Sequence, residues 1–300
     1  MNTIKKLFII LGPTASGKTA LSILLAEKLS TEIISCDSRQ FYKELKIGAA
    51  PPSKEQLQKI KHHFIQHLSI KDNYNTGQYE EDAIKKISSL FKTYDNLILV
   101  GGSGLYIDAI CNGLDNIPKT PEEIRDRINN EFTEKGITWL QEKIKHIDLD
   151  FYKQSDINNP QRLKRCLEVY QNTGEKLSSF YKKEKIKRDF KIIKIGISTE
   201  RENLYNRINQ RVDQMVKSGL IDEAKKLFQF HKFNALNTVG YKELFDFFDN
   251  KLDKETAIEE IKKNSRRLSK RQMTWFKRDK QINWFKINQE NEIIKFILES

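Results

Sequence analysis

The chain has 300 residues, of which 38% are hydrophobic, and its formal net charge is +12. This length and hydrophobic share are sufficient for one large domain or for a core that carries an inserted domain. Three widely separated cysteines, without a Cys-x-x-Cys pair, exclude a disulfide framework and the usual zinc ribbon. No apolar run approaches the ~20 residues that span a bilayer, so we expect a cytoplasmic protein with no membrane partner.

The positive charge is confined to the second half of the chain. Residues 1–150 contain 20 Lys and Arg against 20 Asp and Glu, whereas residues 151–300 contain 33 against 21. A general enrichment in lysine would have raised the charge of both halves. A long-range field of this sign attracts polyanions, and nucleic acid is the leading candidate.

A phosphate-binding loop is predicted directly after the first strand. Residues 7–11 form an apolar run typical of a buried strand, and the following residues match G-x-x-x-x-G-K-[ST]. A helix is predicted from Thr19 to Leu29, so that backbone N–H groups and the helix dipole would converge on a diphosphate. Lys18 can reach terminal phosphate oxygens, and the Thr19 hydroxyl can hold Mg²⁺. The predicted phosphate-binding residues of the loop are Gly12, Pro13, Thr14, Ala15, Ser16, Gly17, Lys18 and Thr19.

A carboxylate follows the second predicted strand, 32–35. In an open α/β sheet, ligands lie beyond the carboxyl ends of the strands, which places Asp37 beside the phosphate-binding loop. Such a residue can be a helix N-cap, or it can take a proton from an attacking hydroxyl or amine. Proximity to the loop favours the second interpretation.

The third predicted strand, 97–100, continues into Gly101-Gly102-Ser103-Gly104. Phosphate-binding-loop NTPases usually have an aspartate at this position, which helps to hold Mg²⁺. Its absence disfavours a motor ATPase or a GTPase. The adjacent glycines indicate that a bulky group approaches the backbone closely here.

A helical segment separates the third strand from a fourth, 191–198. Thr120 is predicted to open a capping box with Pro121 as the first helical residue, and Gly174 to end a later helix. Apolar residues of that later helix recur at helical spacing: Leu163, Cys166, Leu167 and Tyr170. After residue 198 the pattern is mostly helical, with a long helix over about 254–278 and a late strand over 282–287. The predicted fold is therefore α/β, with a P-loop core and parallel sheet (1–118 and 191–300), a helical insertion domain (119–190) and a helix-rich C-terminal part.

Three groups of cations could contact anionic ligands. Residues 161–165 place three cations around an apolar stripe, and residues 265–278 carry six cations with two aromatics. Such segments suit phosphate contacts and base stacking, although for Trp275 and Phe276 alone we favour burial in the core. Arg207 and Arg211, four residues apart on the helix after strand four, could clamp a diphosphate, or could lie on a solvated helix face.

Six segments, in chain order, resemble the bacterial tRNA dimethylallyltransferase family: Gly12–Thr19; Asp37-Ser38-x-Gln40-x-Tyr42 with Ile47-Gly48; Gly101-Gly102-Ser103-x-Leu105-Tyr106; Gln161-Arg162-Leu163-x-Arg165; Gly240-Tyr241-Lys242-Glu243; and Arg267-x-x-Lys270-Arg271-Gln272-x-Thr274-Trp275. Each segment is weak alone, but together they are specific. The chain departs from the family at Ser103, where threonine is common, and at Ala49-Ala50-Pro51. We expect no zinc-finger extension of the kind that eukaryotic relatives carry.

The resemblance implies transfer of a dimethylallyl group from its diphosphate to N6 of the adenosine 3′ of the anticodon. It also implies Mg²⁺ as cofactor and the tRNA anticodon stem-loop as partner, and we expect a monomer. Asp37 and Ser103 are the predicted catalytic residues, and Arg207 and Arg211 join the donor site. The predicted tRNA-binding residues are Asp37, Ser38, Arg39, Gln40, Ser103, Arg125, Gln161, Arg162, Leu163, Lys164, Arg165, Arg267, Lys270 and Arg271.

Two other classes of function share part of this pattern. A small-molecule P-loop kinase would share the loop and Asp37, but it would not explain the charge of the second half. An ATP-dependent nucleic-acid-binding module would explain the charge, but it would require a carboxylate for hydrolysis, which the sequence does not offer.

Overall fold

The computed structural model describes residues 4–181 and 186–300. The chain divides into two compact units, one formed by residues 1–111 with 188–300 and the other by residues 112–187. The sequence had suggested boundaries at 118/119 and 190/191. We refer to the first unit as the core unit and to the second as the insert.

The core unit is built on six strands, all parallel, in the order β3-β2-β4-β1-β5-β6. The strands are β1 Lys6–Leu11, β2 Ile33–Cys36, β3 His62–His63, β4 Asn96–Gly101, β5 Lys191–Ser198 and β6 Ile282–Lys286. The predicted parallel sheet is thus confirmed. The sequence pattern does not reveal β3, because two residues are too few to give a periodic signal. The carboxyl ends of β1, β2 and β4 meet at one edge of the sheet, where a ligand site is expected.

Helices cover both faces of this sheet, and the central strands are consequently apolar on both sides. The helices of the described chain are α1 Lys18–Lys28, α2 Lys54–Lys59, α3 Thr76–Leu90, α4 Gly104–Asn112, α5 Glu122–Ile147, α6 Leu149–Gln154, α7 Pro160–Thr173, α8 Arg201–Lys217, α9 Leu220–Leu227, α10 Tyr241–Phe248, α11 Lys254–Phe276 and α12 Glu290–Glu299. Among the described residues, no helix is both long enough and apolar enough to cross a membrane.

The insert is helical, and α5 and α7 pack around a small apolar core. The predicted capping box is wrong: Pro121 is the N-cap rather than the first helical residue, and no side chain caps α5. The Thr120 hydroxyl instead accepts a hydrogen bond from a side chain of α7. The predicted end of α7 is confirmed, since Gly174 closes the helix in the left-handed region, at φ 75°.

The apolar stripe of α7 is buried, with one exception. Leu163, Cys166 and Leu167 are in the core of the insert, but Tyr170 is exposed and Val169 is buried in its place. A tyrosine fits the surface because its hydroxyl stays hydrated there, whereas valine has no polar group to satisfy.

Candidate active site

The loop between β1 and α1 is shaped to receive an anion. Gly17 is the N-cap of α1 with φ 95°, a backbone conformation that residues with a Cβ rarely adopt, so the turn into the helix depends on glycine. The helix begins at Lys18, one residue earlier than predicted. Lys18 Nζ donates to the carbonyl oxygen of Pro13 at 2.6 Å and lies 3.5 Å from Ser16 Oγ. Its ammonium therefore folds back over the loop.

Cations crowd this loop. Burial lowers the pKa of Lys18 to about 7; Asp37 opposes this shift, while Arg211 and Arg207 add to it. Burial also lowers the pKa of Arg211, and Asp37 again acts in the opposite sense. Both arginines, on α8, line a cavity of about 460 Å³ together with the loop. Three positive side chains around one cavity repel one another until an anion enters.

Thr19 lines the same cavity, at the start of α1. Among residues 4–181 and 186–300, no group of three or more His, Cys, Asp or Glu side chains could hold a metal by itself. Magnesium usually takes one or two protein oxygens and completes its shell with water and substrate phosphates. A threonine hydroxyl beside a cavity lined by cations fits that pattern.

A second cavity, of about 530 Å³, adjoins the first. It is walled on one side by α11 and on another by residues 237–240. Five residues border both cavities: Thr14, Asp37, Gly102, Arg211 and Gln272. Asp37 therefore faces the phosphate-binding loop on one side and an open chamber on the other.

Asp37 lies in a turn rather than at the start of a helix. Its Oδ1 accepts a hydrogen bond from the Arg39 N–H at 3.1 Å. Since no helix follows β2 directly, the N-cap interpretation is wrong. The carboxylate remains next to both cavities, where it could accept a proton from a bound nucleophile.

The ends of β2 and β4 are joined by two serines. Ser103 Oγ accepts from the Ser38 N–H at 3.3 Å and lies 3.4 Å from Ser38 Oγ. Ser103 thus lies beside the turn that carries Asp37, and it lines the second cavity.

Arg39 and Gln40 support the walls of the cavities. The guanidinium of Arg39 donates to the carbonyl oxygens of residues 234, 235 and 237 at 3.0–3.4 Å. Gln40 Nε2 donates to the carbonyl of Ala50 at 3.0 Å. Both side chains are therefore committed to backbone groups, and any contact with RNA would have to compete with these bonds.

Helix α11 contributes unequally to the site. Arg271 lines the second cavity, Lys270 is exposed outside it, and Arg267 donates to the Asn264 side chain at 3.1 Å. Phe276 is buried in the core, as expected for this aromatic. The partner aromatic, a tryptophan, packs against the same core.

The predicted RNA-binding residues of the insert form one group on α5 and α7. Gln161 and Arg162 are exposed at the start of α7. Lys164 Nζ donates to Asn129 Oδ1 at 2.8 Å. The Leu163 side chain is fully buried in the core of the insert, so the predicted RNA contact of this residue would have to come from its backbone.

Glu168 neutralises two arginines of this group. It lies 3.8 Å from Arg125 Nε and 3.5 Å from Arg165 NH1. The ion pair of Arg125 therefore joins α5 to α7. Arg165 also donates to the Thr120 hydroxyl at 2.9 Å, so it partly supports the start of α5.

Gln272 is a site residue that the site prediction omitted. It borders both cavities, and it bonds to the phosphate-binding loop. Only the resemblance of its segment could have pointed to it. Gly240 and Lys242 likewise line the second cavity and belong to a resembling segment.

These features define a P-loop α/β protein whose anion site opens onto a chamber lined by a cationic helix. The IPP transferase family model matches residues 40–279. The chain belongs to the IPP transferase family.

The chain is similar to tRNA dimethylallyltransferases along nearly all of its length. It is 53% identical to that of Christiangramia forsetii, over 97% of this chain and 96% of the relative. It is 49% identical to that of Flavobacterium johnsoniae, over 99% and 98%. Among solved structures, it resembles the tRNA isopentenylpyrophosphate transferase of Bacillus halodurans (34% identity, TM-score 0.74, 98% and 96% covered). It also resembles a eukaryotic dimethylallyltransferase described as acting on tRNA (25%, 0.82, 98% and 80%).

Proposed function

We propose that this protein transfers a dimethylallyl group from dimethylallyl diphosphate to N6 of the adenosine 3′ of the anticodon in tRNA. The observation that carries the proposal is the position of Asp37, which borders both the phosphate-binding cavity and the adjoining chamber. The names of the relatives support the same reaction. A small-molecule kinase is not favoured, because it would leave the cationic α11 without a role.

In the proposed reaction, the bond from C1 of the donor to the diphosphate oxygen breaks and a bond from N6 to C1 forms. Pyrophosphate leaves with the electron pair, and Asp37 accepts the proton that N6 loses. The target base must leave the anticodon-loop stack to enter the chamber.

Lys18, Arg207 and the N–H groups of the loop stabilise the negative charge that develops on the departing pyrophosphate. Their positions around one cavity support this role. Magnesium, held by the Thr19 hydroxyl and the diphosphate, would neutralise further charge on the leaving group when bound. Ser103, bonded to the Asp37 turn, would position the base.

The insert and α11 are proposed to bind the anticodon stem-loop through exposed cations, foremost Arg162 and Arg271. Counter-ion release would then supply much of the affinity. The monomeric state and the cytoplasmic location stay predictions.

The test is a transfer assay without any nucleotide. The protein is incubated with dimethylallyl diphosphate, Mg²⁺ and unmodified tRNA, which is then digested for nucleoside mass spectrometry. We expect dimethylallyladenosine, and we expect ATP to inhibit by competing for the loop. A strict requirement of prenyl transfer for ATP would contradict the proposal. Transfer of phosphate from added ATP, without any prenylation of the tRNA, would contradict it too. A Lys18→Met variant is the control for the loop.

A further inference from the structure

The side chain of Gln272 bonds to two separate parts of the site. Its Oε1 accepts from the Thr14 N–H of the phosphate-binding loop at 2.9 Å. Its Nε2 donates to the Gly102 carbonyl, in the turn after β4, also at 2.9 Å. The loop and the turn follow adjacent strands, β1 and β4, and the glutamine of α11 bridges them.

The turn after β4 is shaped to admit α11. A Cβ on Gly102 would lie 2.6 Å from Gln272 Nε2, and a Cβ on Gly104 would collide with the indole of Trp275. Trp275 Nε1 donates in turn to Asp108 Oδ2 at 2.9 Å. The glycines of this turn therefore make room for α11 side chains one helical turn apart, rather than for a ligand alone.

Neighbouring residues of α11 face the two substrates of the proposed reaction. Arg271 lines the second cavity only, whereas Gln272 borders both. The turn held by Gln272 continues into Ser103, which bonds to the Asp37 turn. A shift of the loop caused by an anion would thus be transmitted to Ser103 and to α11.

We propose that Gln272 is a positioning residue for the transfer, which fixes the donor loop against the turn of Ser103 and couples diphosphate binding to RNA binding. This inference rests on the proposed function. Coupling between two ligands is reciprocal, so it is measurable from either side. Loss of the bridge would leave both binding surfaces intact but would misalign the reacting atoms.

The main variant is Gln272→Met, which conserves volume and removes both hydrogen bonds. We expect kcat to fall by about 100-fold, because a small misplacement of the reacting groups lowers the rate by about this factor. Pyrophosphate alone and an anticodon stem-loop RNA alone should bind as tightly as to the wild type. Pyrophosphate should tighten RNA binding to the wild type and lose that effect in the variant. Thr274→Ala, an exposed change on the same helix, is the matched control.

A second variant tests the same inference without changing Gln272 itself. Gly102→Ala should displace Gln272 while leaving it present, and it should reproduce the loss of coupling. Unchanged kcat and unchanged coupling in Gln272→Met would overturn the inference. Equal losses of melting temperature and of binding of both ligands, in both variants, would overturn it too, by showing a purely structural role. A wild type that couples the two ligands but does not transfer would instead contradict the proposed function.

Discussion

The Lys18 ammonium lies 2.6 Å from the carbonyl oxygen of Pro13, within its own loop. Burial lowers the pKa of this ammonium to about 7; Asp37 opposes the shift, and Arg211 and Arg207 add to it. Binding of a diphosphate should release it from Pro13 and favour its charged form. The chemistry of the loop is therefore linked to pH.

We expect diphosphate binding to take up a proton at Lys18. The free protein has a pKa of about 7 at this residue, and a bound anion raises it, so above pH 7 the complex holds more protons than its components. The Kd for dimethylallyl diphosphate should then rise with pH, by up to about tenfold per unit. Calorimetry in buffers of different ionisation enthalpy measures the uptake. Lys18→Met should abolish it, and uptake that persists in this variant would assign the proton elsewhere.

Replacing Asp37 by Ala should lower kcat by about 10²–10⁴-fold, because the proton of the attacking amine loses its acceptor. Binding of tRNA should change little, because most of the affinity is expected from cations that contact phosphates, whereas Asp37 would meet only the target base. Single-turnover transfer and RNA binding are measured together. Asp150→Ala, on the exposed start of α6, is the control. Near-normal turnover without Asp37 would remove it from the catalytic role.

Removing Arg162 and Arg165 together should weaken the salt dependence of tRNA binding. Each lost phosphate contact lowers the slope of log K against log salt by about 0.7–0.9, so a change of about one to two units is expected. The KM for tRNA should rise and that for the donor should not. Because Arg165 also bonds to Thr120, melting must be checked in parallel. Equal slopes for the wild type and the double variant would show that these arginines lie on a solvated helix face and do not contact phosphates.

Replacing Glu223 by Gln should destabilise the wall of the second cavity. Its carboxylate accepts from the N–H groups of residues 46, 47 and 48 at 2.9–3.0 Å and from the Tyr241 hydroxyl at 2.6 Å. Burial, with the Glu223 charge second, raises the pKa of Tyr241, so this phenol stays a donor. The side-chain amide of Gln would place its own NH₂ group against these donors, which should lower the free energy of unfolding by about 1–3 kcal/mol. Thermal melting measures the loss. The control is Asp222→Asn at the exposed neighbouring residue, which should leave the melting temperature nearly unchanged. An unchanged melting temperature would contradict this account.

The sequence by itself determined the elements whose signals are local. The strand before the loop, the glycine-dependent turn at Gly17 and the end of α7 at Gly174 depend on short segments, so residue type and spacing are sufficient to predict them. The positive second half of the chain is also visible without a structure. Residues 188–300 alone hold 24 Lys and Arg against 17 Asp and Glu.

Only the tertiary structure decided how distant segments share the site. Asp37 borders both cavities because β2 and β1 flank β4 in the sheet, and pairing between strands is a long-range property. Burial likewise separated Leu163 from its charged neighbours, although all belong to one resembling segment. Gln272 reaches Thr14 across 258 residues of chain, a contact that no local pattern encodes. Side-chain roles of this kind are set by packing and hydrogen-bond geometry, which exist only once the chain has folded.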